Sequence, residues 1–207
     1  MLDKLGFDHW ADYYEKTVSE AEVSNRYPFA GYDKMLEAIC ESITSNQTIL
    51  DIGVGTGTLA KRLYDAGNAI TAFDFSPKMV DAAKEKMPNA HIFEWDLAKG
   101  MPSAQLDTQF DAITCTYVLH HFTDQEKITL IENMLKHLTP SGHLYIGDIS
   151  FTTEEHLETC KLAHINSWDH DEFYFVENTI RTLLAEQYNV QYEQISHCGG
   201  LYIVSLK

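Results

Sequence analysis

Basic residues are scarce. Across 207 residues, 15 Lys and Arg stand against 31 Asp and Glu, a formal net charge of −16. A chain this acidic repels the phosphates of DNA and RNA and the surface of anionic lipid, which argues against all three as partners. Cysteine is also sparse. Cys40, Cys115, Cys160 and Cys198 lie far apart and none forms a CxxC pair, so the spacing supports neither a zinc site nor a thioredoxin-like motif, and no metal is expected. A reduced, cytoplasmic setting fits this usage. No apolar run approaches the roughly 20 residues of a membrane span. The opening MLDKLGFDHWADYYEK is too polar for a signal peptide. Repeats, low-complexity tracts and linkers are absent too.

What remains is a globular chain with 44% hydrophobic residues, sized for one domain. Its middle alternates short apolar runs with amphipathic stretches. TILDI (48–52), AITAFDF (69–75), AHIFEW (90–95), FDAITCT (110–116) and HLYIGDI (143–149) read as strands. A helix is expected over 57–67, ending at Gly67. Ser76-Pro77 opens another, and Thr123-x-x-Glu126 is a capping box before a third. This alternation predicts a doubly wound, Rossmann-like α/β domain whose mostly parallel sheet has seven strands and helices on both faces. Residues 188–197 and 201–206, joined by Cys198-Gly199-Gly200, read as a closing antiparallel hairpin at the sheet edge. The single domain, 1–207, then divides into a helical cap (7–45), a ligand-binding core (47–150), a helical insert or lid (151–187) and the hairpin (188–207). In the insert, Thr152-x-x-Glu155 and DEFYFVENTIRTLLAEQ predict two helices.

The stretch ILDIGVGTGTL (49–59) carries the functional signal. Gly53, Gly55 and Gly57 let a ligand approach the backbone. Dinucleotide folds use GxGxxG with a pyrophosphate on the helix N-terminus. Here the pattern is GxGxG and the strand ends in Asp51, which would repel a pyrophosphate and attract an ammonium. Asp74 ends the second strand, where a carboxylate accepts from a ribose diol. After the third strand, Trp95-Asp96-Leu97 offers an acceptor for an exocyclic adenine amine beside an apolar ring contact. Ammonium, ribose and adenine together describe S-adenosyl-L-methionine.

On these residues the chain resembles the class I S-adenosylmethionine-dependent methyltransferases. LDIGVGTGTL resembles the family's first motif and AFDFSPKMV its second. WDL resembles the adenine contact, FDAITCTYVLHHFTD the fourth-strand motif and LKHLTPSGHLYIGD the turn into the fifth strand. The opening FDHWADYYEKTV is similar to the cap of small bacterial members. The resemblance covers about residues 47–150 and extends through the hairpin. It implies that Gly53, Gly55, Gly57 and Asp51 face the methionine moiety, that Asp74 binds ribose, and that Phe75, Met79, Asp96 and Leu97 line adenine. It further implies that Thr116 faces the methionine moiety and that Tyr14 closes over the cofactor.

Structural alternatives stand beside these roles. Met79 is periodic with Ala82, Ala83 and Met87 and suits a core position. Tyr14 suits a staple, and Asp51 suits a loop hydrogen bond. His121, His120 and Asp148 are the candidate catalytic groups at the ligand end of the sheet, with loop-fixing the alternative for the histidine pair. Adjacent histidines are also a poor metal motif. His164, Trp168, His170 and Tyr174 are positioned to line an acceptor pocket or to pack a lid. The expected partner is a small-molecule acceptor and the expected assembly a monomer or homodimer. A nicotinamide-dependent oxidoreductase and a non-catalytic cofactor-binding protein remain the alternatives.

Overall fold

A computed structural model describes residue 18 and residues 25–106 and 108–207. Tyr14 and the rest of residues 7–17 and 19–24 of the expected cap lie outside the described residues. The first described helix is α1 (Tyr32–Ser42). The core then runs β1 (Thr48–Ile52), α2 (Thr58–Asp65), β2 (Ala69–Asp74), α3 (Pro77–Lys86), β3 (His91–Glu94), β4 (Phe110–Thr116), α4 (Asp124–Leu135) and β5 (Leu138–Phe151). It closes with α5 (Glu154–Ala163), β6 (Phe175–Val176), α6 (Glu177–Leu184), β7 (Tyr188–Gln194) and β8 (Gly199–Leu206).

The strand order is β3-β2-β1-β4-β5-β8-β7, with β6 paired to β5 off this path. β1 to β5 are mutually parallel, and β8 is antiparallel to both β5 and β7. Strand order reverses between β1 and β4, which leaves a crevice at the carboxyl ends of the strands. Alternation along the strands splits the core in two. Ile49, Ile70 and Ala72 face α1, α2 and α3 through Leu36, Leu63 and Ala83. Leu50, Ile52 and Phe73 face the other side, where α4 and α6 contribute Ile131, Met134, Ile180 and Leu184. Each fully buried aliphatic side chain contributes about 1.5–3 kcal/mol.

Helix starts follow their local chemistry. Ser76 Oγ accepts from the Met79 N–H at 3.3 Å, with Pro77 opening α3. Glu126 Oε2 accepts from the Thr123 N–H at 2.8 Å and completes the capping box of α4.

Four expectations need correction. The sheet has eight strands, because the two-residue β6 adds to β5. The expected helix over DEFYF begins only at Glu177, since Phe175 and Val176 are drawn into that pairing. The cap of α5 is Thr153, whose side chain accepts from the His156 N–H at 3.2 Å, not Thr152. The hairpin closes one edge of the sheet as expected, but Gly199 and Gly200 lie inside β8 and not in the turn.

Candidate active site

The three glycines after β1 all have left-handed backbones, with φ of 72° at Gly53, 53° at Gly55 and 84° at Gly57. The N–H groups of Gly53 and Val54 both donate to Phe73 O, at 2.9 and 3.0 Å, which folds the loop back onto β2. A Cβ at Gly53 would lie 2.2 Å from Val118 Cγ2, whereas one at Gly55 would meet nothing within 4 Å. Gly53 is therefore required by the protein's own packing. Gly55 borders open space, where a ligand can reach bare main chain.

Two buried acids flank this loop. Asp74 Oδ2 accepts from the Gly55 N–H at 3.0 Å and its Oδ1 from the Ser76 N–H at 2.9 Å. A carboxylate oxygen can accept more than one hydrogen bond. Asp51 is 2% exposed and accepts from the Thr114 hydroxyl at 2.6 Å. Burial raises its pKa to about 7, the Thr114 bond opposes this and the nearby Asp74 charge adds to it.

The other ligand-side residues differ in exposure. Asp96 caps the short turn Leu97–Lys99 by accepting from the Ala98 N–H at 3.0 Å. Leu97 and Met79 are buried, while Phe75, Asp96 and Thr116 are half-buried at the crevice end of their strands. Tyr117 follows β4 with a φ of 55°, a left-handed backbone uncommon for a non-glycine residue. Its ring packs on Phe29 and Tyr32 at centroid distances of 5.3 and 5.4 Å.

At the end of β5, Asp148 is completely buried. It accepts from the N–H groups of Leu119, His120 and Ile149 at 2.9, 3.2 and 2.7 Å and pairs with His120 Nδ1 at 2.6 Å. Burial alone would raise Asp148, but His120 and the Ile149 N–H hold it below the usual carboxylate range. Burial likewise works to lower His120, and the Asp148 and Glu172 carboxylates outweigh it, so its pKa is raised. Glu172 Oε1 lies 3.6 Å from His120 Nε2, and Tyr174 donates to Glu172 Oε2 at 2.8 Å. The Tyr174 hydroxyl also hydrogen-bonds that of Tyr27. A buried chain of polar groups thus runs from β5 to the segment before β6.

The methyltransferase-domain family profile matches residues 49–142. An uncharacterized methyltransferase of Oceanobacillus iheyensis is 30% identical over 210 residues, covering 97% of this chain and 95% of that protein. One from Alkaliphilus oremlandii is 32% identical over 184 residues, covering 88% of this chain and 80% of its own length. The chain belongs to the class I S-adenosylmethionine-dependent methyltransferases. The fold agrees with a crystal structure of magnesium protoporphyrin IX methyltransferase from Synechocystis with bound SAH. That structure matches with a TM-score of 0.68 at 18% identity, over 86% of this chain and 85% of the other.

In this methyltransferase, Asp51, the three glycines, Asp74, Asp96 and Thr116 all gather at the carboxyl ends of β1 to β4, since parallel strands present those ends on one edge. His121 reaches the same edge. Burial, then the neighbouring His120, lowers its pKa to about 4, so at neutral pH its imidazole is uncharged and a weak base. Asp148 is wired to backbone and to His120. His120, His121 and Glu172 bring ligand atoms within 4.8 Å of one another. Asp148 and Glu172 flank His120, and their carboxylates favour its protonated form. Sequence reading missed Glu172 and Tyr117. Glu172 carries no motif and is placed by the β5–β6 pairing, and the strained backbone of Tyr117 has no sequence signature.

Proposed function

We propose that this methyltransferase transfers the methyl group of S-adenosylmethionine to a small-molecule acceptor in the cytoplasm. The observation that carries the reading is the crevice in which Asp74 accepts from the N–H of Gly55, whose Cβ position is open, with buried Asp51 near enough to feel the Asp74 charge. These groups suit the donor: Asp74 for the ribose diol, Asp51 and Gly53, Gly55 and Gly57 for the amino-acid tail. Phe75, Met79, Asp96 and Leu97 serve the adenine side, and Thr116 the methionine side. When bound, S-adenosylmethionine supplies a methyl group on a sulfonium, whose leaving sulfide needs no acid. The protein's task is to hold the acceptor in line and to exclude water, an effect worth several powers of ten. Tyr27, Tyr117 and Trp168 serve that exclusion as part of the aromatic cluster over the end of β5. The net charge of −16 supports an acceptor other than nucleic acid. The protoporphyrin methyltransferase of the same fold is named for a small-molecule substrate.

Calorimetry with S-adenosylmethionine and with NADH tests the donor. Binding of NADH alone would overturn the reading. Formation of S-adenosylhomocysteine with a metabolite extract, and not without it, tests turnover; its absence across extracts would favour a binding protein.

Asp74→Ala is expected to weaken S-adenosylmethionine binding by about 1–3 kcal/mol, through loss of charge-assisted hydrogen bonds. Unchanged affinity would remove Asp74 from the ribose role. Asp51 gives a pH dependence. Its pKa is about 7 when the ammonium is absent, and a cationic tail favours the ionised form. Binding should therefore release a proton, and affinity should fall as pH drops below about 7. Calorimetry in buffers of different ionisation enthalpy measures that proton directly. A pH-independent affinity across roughly pH 5.5–8, the window around that pKa, would exclude an ammonium contact.

A further inference from the structure

We propose that Cys160, His164 and His197 form a zinc site that pins the β7–β8 turn to the end of α5. The sequence spacing hides it, since one imidazole comes from a turn more than thirty residues downstream. In the fold, one ligand atom from each of the three lies within 4.8 Å of the other two. Cys160 and His164 are four residues apart, and the His164 N–H donates to Cys160 O at 3.0 Å, continuing the helical pattern. The two side chains thus share one helix face. His197 lies in the turn 195–198, which is held by N–H groups of Ile195 and Ser196 donating to Gly199 O at 2.9 and 3.1 Å. The imidazoles of His164 and His197 face each other at 6.1 Å between centroids, and Tyr27 stacks on His164 at 5.4 Å.

A thiolate with two imidazoles selects a borderline-soft ion and disfavours magnesium and calcium, which take oxygen ligands. Zinc bonds of about 2.0–2.3 Å place tetrahedral ligands roughly 3.3–3.6 Å apart, a small side-chain adjustment from the spacing here. Cys198 shares the buried cluster with Cys160, but its thiol donates to Pro28 O at 3.6 Å and is not among the three converging ligand atoms. Three ligands leave a fourth position for water on the side of the exposed His197.

Cobalt(II) titration of the full chain under reducing conditions tests the site. The expected result is one equivalent bound with a thiolate-to-cobalt charge-transfer band, bleached by zinc. Cys160→Ser should lose the band and Cys198→Ser should keep it. His197→Gln, at an exposed turn where folding is not at stake, should weaken cobalt binding at least about 10-fold. Zinc should raise the melting temperature of the wild type and not of His197→Gln. Absence of the band in the wild type, cobalt bound without it, or a band surviving in Cys160→Ser would each overturn the proposal. None of these readouts involves the methyl donor.

Discussion

Replacing Asp148 with alanine should remove about 3–5 kcal/mol of folding stability, measured by urea unfolding near pH 6. The side chain is fully buried and is the acceptor for three backbone N–H groups as well as the partner of His120. Alanine leaves the His120 imidazole beside Glu172 without its nearer carboxylate, and strands donors at the start of the turn after β4. The sign of the pH dependence follows from the two shifts. Asp148 is lowered, so its contribution is present above the unfolded carboxylate value and lost as pH falls through its folded pKa. His120 is raised, so its contribution is complete below the unfolded imidazole value and lost as pH rises through its folded pKa. The difference between wild type and variant should therefore be largest between about pH 4 and 6.5 and shrink on both sides. A difference that stays level from the acid to the alkaline side of this window would show that His120 is not the charged partner.

Gly55→Val is expected to fold and to lose more than about 100-fold in S-adenosylmethionine affinity, some 3 kcal/mol. The φ of 53° costs an L-residue roughly 1–2 kcal/mol of stability, and no protein atom lies within 4 Å of the new Cβ. Folding should therefore survive, while the isopropyl group fills space left for the ligand. Gly53 is the contrasting position, because a Cβ there strikes Val118 and disturbs the protein itself. The informative comparison sets calorimetric affinity against melting temperature for the Gly55 variant. Wild-type affinity in a folded Gly55→Val protein would place the donor away from this loop.

Much of the architecture was legible because the governing signals are local. β1 and β4 match their expected runs residue for residue, since both strands are buried along most of their length. Ser76 and the Thr123–Glu126 pair mark helix starts because capping is a contact of three residues. What escaped depends on distant partners. β6 is a strand only because Ser150 and Phe151 pair with it, and nothing in Phe175-Val176 announces that. β5 runs through Pro140-Ser141-Gly142, which reads as a turn, because Leu138 pairs with Phe110 across an irregular register. The buried acids Asp51 and Asp74 were readable from their position at strand ends. The polar chain from Asp148 to Glu172 was not, because Lys127 sets its far end by donating to Phe173 O at 2.6 Å across 46 positions.

The place of β8 in the sheet bears on how the chain emerges during synthesis. Residues 143–149 of β5 find their outer neighbour in 199–205, and β7 reaches the sheet only through that same strand. While a ribosome still holds residues 199–206, the nascent chain presents a long, bare strand flank on β5. The protein should then be most prone to pair with neighbouring chains until residues 199–206 emerge and dock against β5.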